Sequence, residues 1–132
     1  MKITTKYLSD HEYEAFNASG NNVFIDMKDE GKTGQSPMEM ILSALCGCVA
    51  VEVAQMIKKR RKHVGDLTIT AEGIRKEDHP RGFTQIKIIF TLKSSDANNE
   101  ELEKVTRLSL EKYCSVAESL KADISFETNI ER

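Results

Sequence analysis

Cys48 and Cys114 are the residues of this chain whose type and setting best suit chemistry. Cys48 lies in a long, almost uncharged stretch that begins at Ser36. Cys114 stands far downstream, in Lys112-Tyr113-Cys114-Ser115, at the mouth of a later short helix. A thiol held on a rigid helix, with a second thiol able to close on it, is the minimum equipment of a two-cysteine redox centre. A free cysteine is also a small hydrophobe that is often buried for packing alone. The two residues by themselves leave both readings open. Cys46 makes a Cys46-Gly47-Cys48 pair, but helical residues two apart point about 200° from each other. A local disulfide or shared metal would break the helix, so Cys46 reads as packing. Glu52 is one helical turn beyond Cys48 and reads two ways. It either pairs with a lysine or backbone group at a helix seam, or it is a second polar group beside the thiol. Tyr113 reads as a core or rim aromatic.

The elements that must position these thiols follow from periodicity. Ser36 is an N-cap, Pro37 suits the first helical position, and Glu39 completes a capping box. Met38, Ile41, Leu42, Leu45, Cys48, Val49, Val53, Met56 and Ile57 then recur with the helical period. Glu52 is the only charge between Met40 and Ile57. A helix apolar on nearly every side is a buried one. It closes on the basic run Lys58 to His63, which suits the negative end of the helix dipole. A nucleic-acid or targeting role for that run is the weaker alternative.

Before the helix, Ile3 to Leu8, Tyr13 to Ala18 and Val23 to Met27 read as strands, the last two joined by the turn Gly20-Asn21-Asn22. After it, Leu67 to Ala71 and Ile86 to Leu92 alternate around the turn Asp78 to Gly82. Asn98 with Glu101 caps a second helix. Ser115 with Glu118 predicts a third that restarts at Val116. Ile124, Phe126, Thr128 and Ile130 alternate as a closing strand. The order β-β-β-α-β-β-α-α-β is α+β with mainly antiparallel pairing. One sheet cannot cover every side of the apolar helix, so an intertwined homodimer is expected.

The chain has 132 residues, 39% hydrophobic and 30% charged, with a net charge of −2. Its pI is about 5.9. That is the composition of a single soluble domain, residues 1–132. It suggests neither nucleic acid nor an anionic membrane as a partner. Met1-Lys2-Ile3 leads into polar residues with no apolar leader, and the most apolar run, Met40 to Val51, is short for a bilayer span. An odd cysteine count without an export signal fits a reducing cytoplasm. His11, His63 and His79 are scattered and form no metal-ligand spacing with the cysteines, so no metal or cofactor is expected.

The run Ser36-Pro37-x-Glu39-x-Ile41-Leu42-x-Ala44-Leu45-x-Gly47-Cys48, followed by Leu108-Ser109-Leu110-Glu111-Lys112-Tyr113-Cys114-Ser115-Val116-Ala117, resembles the OsmC/Ohr family, the osmotically inducible and organic hydroperoxide resistance proteins. The similarity runs from Gly34 onward and is closest to the small OsmC-like subgroup. The resemblance implies an antiparallel sheet wrapped around a long central helix in a swapped homodimer. It also implies a thiol-dependent peroxidase acting on organic hydroperoxides. Cys48, eleven residues after Pro37, matches the peroxidatic cysteine. Cys114 matches the resolving one, and an external dithiol would reset the pair. The family pattern also has a glutamate directly after the proline and an arginine from the N-terminal half. Here Met38 follows Pro37, and no arginine precedes Arg60. Lys28, Lys32 or His11 are the remaining sources of positive charge in that half. Cys114, just before a Ser115 cap, is expected to have its thiolate favoured by helix-terminal amides. The alternative is an OsmC-like binding or redox-sensing protein without turnover.

Overall fold

The computed structural model describes all 132 residues, Met1 to Arg132. It consists of two compact units, Met1–Ile41 and Leu42–Arg132, with the boundary inside the long helix.

The first unit is a three-stranded antiparallel sheet of β1 (Ile3–Ser9), β2 (Glu12–Asn17) and β3 (Asn22–Asp26), in that spatial order. The β2–β3 turn falls where Gly20 takes a φ of 84°, a conformation that glycine adopts at little cost. The loop after β3 is organised by the buried carboxylate of Asp26. It accepts from the backbone amides of Lys28 (2.9 Å) and Thr33 (2.8 Å). Burial works to raise its pKa, but these amides and the Lys28 ammonium outweigh it and hold the carboxyl low. Gly34 lies flat against the Phe24 ring, where a Cβ would have no room.

Helix α1 (Pro37–Lys59) begins in the first unit with the expected capping box. The Glu39 amide donates to Ser36 Oγ at 3.2 Å, and the Ser36 amide donates to Glu39 Oε1 at 3.0 Å. Most of the helix belongs to the second unit. There Leu45, Val49, Val53 and Ile57, spaced by four, form a fully buried stripe. The twelve-residue apolar run expected from the sequence is part of a 23-residue helix. That helix meets the length and composition of a membrane span, with mean hydropathy 2.0 over 18 residues. Its buried stripe nevertheless packs into protein, in one core with strand and helix residues.

The second unit pairs β4 (Asp66–Arg75) antiparallel with β5 (Phe83–Lys93), and β5 with β6 (Asp123–Glu131). Ile86, Ile88, Phe90 and Leu92 alternate on β5 and are fully buried against the α1 stripe, Leu102 and Val105. Each such side chain stabilises the fold by about 1.5–3 kcal/mol. The β5–β6 pairing departs from the antiparallel expectation: it is parallel. A parallel partner needs a long crossover, and residues 94–122, with their helices, provide it.

That crossover contains α2 (Asn99–Leu108), a π-helical turn (Ser109–Tyr113) and α3 (Ser115–Glu118). Asn98 and Glu101 form the expected capping box of α2. For α3 the expectation is corrected. The cap is Cys114, not Ser115, and the Ala117 amide donates to Cys114 Sγ at 3.3 Å.

Candidate active site

Cys48 and Glu52 occupy successive turns of α1 and so share one face. The Cys48 thiol points at Glu52 Oε1, 4.0 Å away. The same Glu52 oxygen accepts from Ser109 Oγ at 2.9 Å. Cys114 joins them: the ligand atoms of Cys48, Glu52 and Cys114 all lie within 4.8 Å of one another. The two cysteines singled out from the sequence are thus brought together, both as free thiols.

The π turn explains how two residues five apart reach the same side. In an α-helix, positions 109 and 114 would be about 140° apart around the axis. The wider turn is closed by the Cys114 amide donating to Ser109 O at 2.8 Å. This i→i+5 geometry stacks residue 114 over residue 109. Ser109, fully buried, then meets Glu52, and Cys114, 3% exposed, meets the Cys48–Glu52 face.

The electrostatics differ from the sequence expectation. Cys114 does accept a helix-terminal amide, but its thiol pKa is pushed up to about 11, not down. Burial is the main cause. The Ala117 amide acts in the opposite direction, and the neighbouring Cys48 and Glu52 add to the rise. One amide from a four-residue helix is too weak to offset removal of the thiol from water beside two acidic neighbours. Cys114 is therefore a neutral thiol at pH 7.

Glu52 has no lysine or arginine ion-paired to it. The first-unit lysines considered as sources of charge have partners of their own. Lys28 pairs with Glu12 (3.6 Å) and Asp26 (3.7 Å), and Lys32 with Glu39 (3.5 Å). His63 serves the loop after β5, accepting from the Ser95 amide at 3.3 Å. Cys46 is half-buried and lies outside the cluster. Burial raises its thiol pKa.

Two cavities open onto the cluster. One of about 320 Å³ is lined by Glu52, Met56, Lys59, Leu108 and Tyr113. Another of about 410 Å³ is lined by Leu110, Tyr113, Cys114, Ser115 and Glu118. Tyr113 is 58% exposed and borders both, which makes it a rim aromatic. Ser109 is the site residue that the sequence did not single out. It carries no motif of its own, and only the π turn aims it at Glu52.

Comparison with known proteins agrees with this architecture. The chain is 32% identical to the protein YhfA of Escherichia coli K12 over 131 residues, covering 99% of this chain and 97% of that protein. A hypothetical protein from Aquifex aeolicus superposes with a TM-score of 0.81 at 28% identity, covering 99% of this chain and 97% of that one. The organic hydroperoxide resistance protein OhrB of Bacillus subtilis shares the fold, with a TM-score of 0.64 at 16% identity, covering 98% of this chain and 96% of that one. The family model of the OsmC-like protein matches residues 29–129, a span that contains both cysteines, Glu52 and Ser109, and the chain therefore belongs to the OsmC-like family.

Proposed function

We propose that this protein is a thiol-dependent peroxidase that reduces organic hydroperoxides through Cys48 and Cys114. The observation that carries the reading is the meeting of these two thiols, 66 positions apart in sequence, within 4.8 Å in a partly buried site. In the first step the Cys48 sulfur attacks the terminal peroxide oxygen. The O–O bond breaks, Cys48 becomes a sulfenic acid, and the alcohol leaves with the thiol proton. In the second step the Cys114 sulfur displaces hydroxide from Cys48, closing a disulfide and releasing water. An external dithiol then reduces that disulfide by exchange. Cys48 is placed first because it is half-buried on a rigid helix. Cys114, at the junction of two short helical turns, is then the thiol that closes on it.

A second reading is favoured by the charge of the site. Glu52 lies beside Cys48 and has no lysine or arginine ion-paired to it, so the site lacks the positive charge that the family pattern supplies. The Cys114 thiol is also held neutral at pH 7. An OsmC-like protein with this pair would bind a small apolar or electrophilic molecule, or sense redox state, without turnover. The deciding experiment is a single-turnover titration of the reduced protein with a stoichiometric organic hydroperoxide. The peroxidase reading expects two thiols lost per chain and a Cys48–Cys114 disulfide. Thiols that survive minutes at millimolar peroxide would leave only the second reading.

The working unit of this proposal is a cytoplasmic homodimer. Along α1, Ser43, Ala44, Gly47, Val51 and Gln55 are exposed, and Val51 retains 59% of its surface. Small residues at these spacings leave room for a second helix to approach closely. The same association would cover the exposed Ala44 and Val51 side chains.

A further inference from the structure

We propose that the reduced Cys48–Glu52–Cys114 cluster binds a soft divalent ion of the zinc type, and that this ion and the Cys48–Cys114 disulfide exclude each other. The binding half of the proposal needs no peroxide chemistry. The exclusion half rests on the redox pair proposed above.

The donor set is the first argument. Two cysteine sulfurs and one carboxylate oxygen are ligands that zinc accepts, and sulfur selects it over magnesium or calcium. Geometry is the second. In a tetrahedral zinc site two sulfurs lie about 3.8 Å apart, and a sulfur and an oxygen about 3.6 Å apart. Here Cys48 Sγ and Glu52 Oε1 are separated by 4.0 Å, and all three ligand atoms lie within 4.8 Å. Contraction by less than about 1 Å closes them on an ion. A disulfide requires an approach to about 2.05 Å, a larger movement.

Charge is the third argument. In their coordinating forms the three groups would carry three negative charges in a partly buried site where no lysine or arginine is paired to the carboxylate. A divalent cation compensates that excess. Support from a second layer is the fourth. Ser109 Oγ donates to Glu52 Oε1, orienting a ligating carboxylate as outer residues do in metal sites. Cavities border Glu52 and Cys114 and have room for a water that would complete a four-coordinate ion. Binding is not a redox step. Each thiol gives its proton to solvent and its sulfur lone pair to the ion.

The test uses the full-length, fully reduced, chelator-treated protein with cobalt(II) or zinc chloride. The expected result is one cobalt per chain, with a thiolate-to-cobalt charge-transfer band and the intense visible bands of a tetrahedral site, both erased by zinc. Zinc should protect Cys48 and Cys114, but not Cys46, from alkylation mapped by mass spectrometry. Cys48→Ser and Cys114→Ser should each remove the charge-transfer spectrum or shift it to a single-thiolate form. Glu52→Gln and Ser109→Ala should weaken zinc binding by about 10- to 100-fold in competition with a chromophoric chelator. Cys46→Ser should bind as the parent does. Prior oxidation with diamide should abolish binding.

Absence of a thiolate band, unchanged zinc affinity in Cys48→Ser, or protection of Cys46 in place of the pair would overturn the site. The protection assay is read on the parent, so a variant that fails to fold does not decide the matter. Zinc protection in a protein whose thiols ignore peroxide would remove the peroxidase reading and keep the metal site. Peroxide-driven disulfide formation without zinc protection would do the reverse.

Discussion

Ser109 Oγ donates to Glu52 Oε1 at 2.9 Å, linking the π turn of the crossover to the middle of the long helix across 57 positions of sequence. The hydroxyl is buried, and the carboxylate it meets has no ion-pair partner. A hydrogen bond to a charged acceptor in such a place is worth more than a neutral one. Ser109→Ala should lower unfolding stability by about 1–3 kcal/mol in a urea titration. A loss within error would mean that water replaces the hydroxyl without cost.

The order of the two thiols can be read chemically. Cys114→Ser should leave a sulfenic acid on Cys48 that a dimedone-type probe traps. Cys48→Ser should abolish peroxide consumption. If Cys48→Ser consumes peroxide at the parent rate, Cys114 or Cys46 is the nucleophile and the roles assigned here are wrong.

The raised pKa of Cys114 has a pH signature. An unfolded thiol titrates near 8.5. In the folded chain Cys114 titrates at about 11, chiefly because it is buried. Between those values the native state holds the proton that the unfolded state releases, so stability must fall as pH rises. The contribution is complete below about pH 8.5 and is lost by about pH 11. Cys46, also raised by burial, acts in the same direction. Denaturant midpoints across this range should decline in the parent, and less steeply in Cys114→Ala. Equal slopes would show that other groups carry the dependence.

The exposed face of α1 predicts association. Val51 keeps 59% of its surface although the helix around it is apolar. Val51→Lys should convert a dimer into a monomer in sedimentation velocity at micromolar concentration. A parent that sediments as a compact, stable monomer would remove the dimer from the proposal.

Thr106 Oγ1 is a buried hydroxyl without a hydrogen-bond partner on α2, and its residue is fully enclosed. Valine has nearly the same shape without the polar atom. Thr106→Val should raise the unfolding free energy by about 1 kcal/mol. Destabilisation would indicate that the hydroxyl is satisfied by an ordered water.

Much of this molecule was legible as a one-dimensional pattern. Three short strands, the capped helix with its stripe of apolar residues, the hairpin around Asp78 to Gly82 and the Asn98–Glu101 cap are local features. Their periodicity and end chemistry are written in adjacent residues, which is why sequence suffices for them. The pairing of Cys48 with Cys114 was legible only through family resemblance, since nothing in a spacing of 66 positions indicates contact. Tertiary structure decided the rest. The parallel partner of β5, the π turn that stacks Cys114 over Ser109, the sulfur cap of α3 and the meeting of Glu52 with Ser109 all depend on how distant segments share one core. The same holds for the direction of the Cys114 shift. Its local sequence places an amide beside the sulfur, which favours the thiolate. Burial against a helix some sixty residues away, carrying a thiol and a carboxylate, reverses the sign.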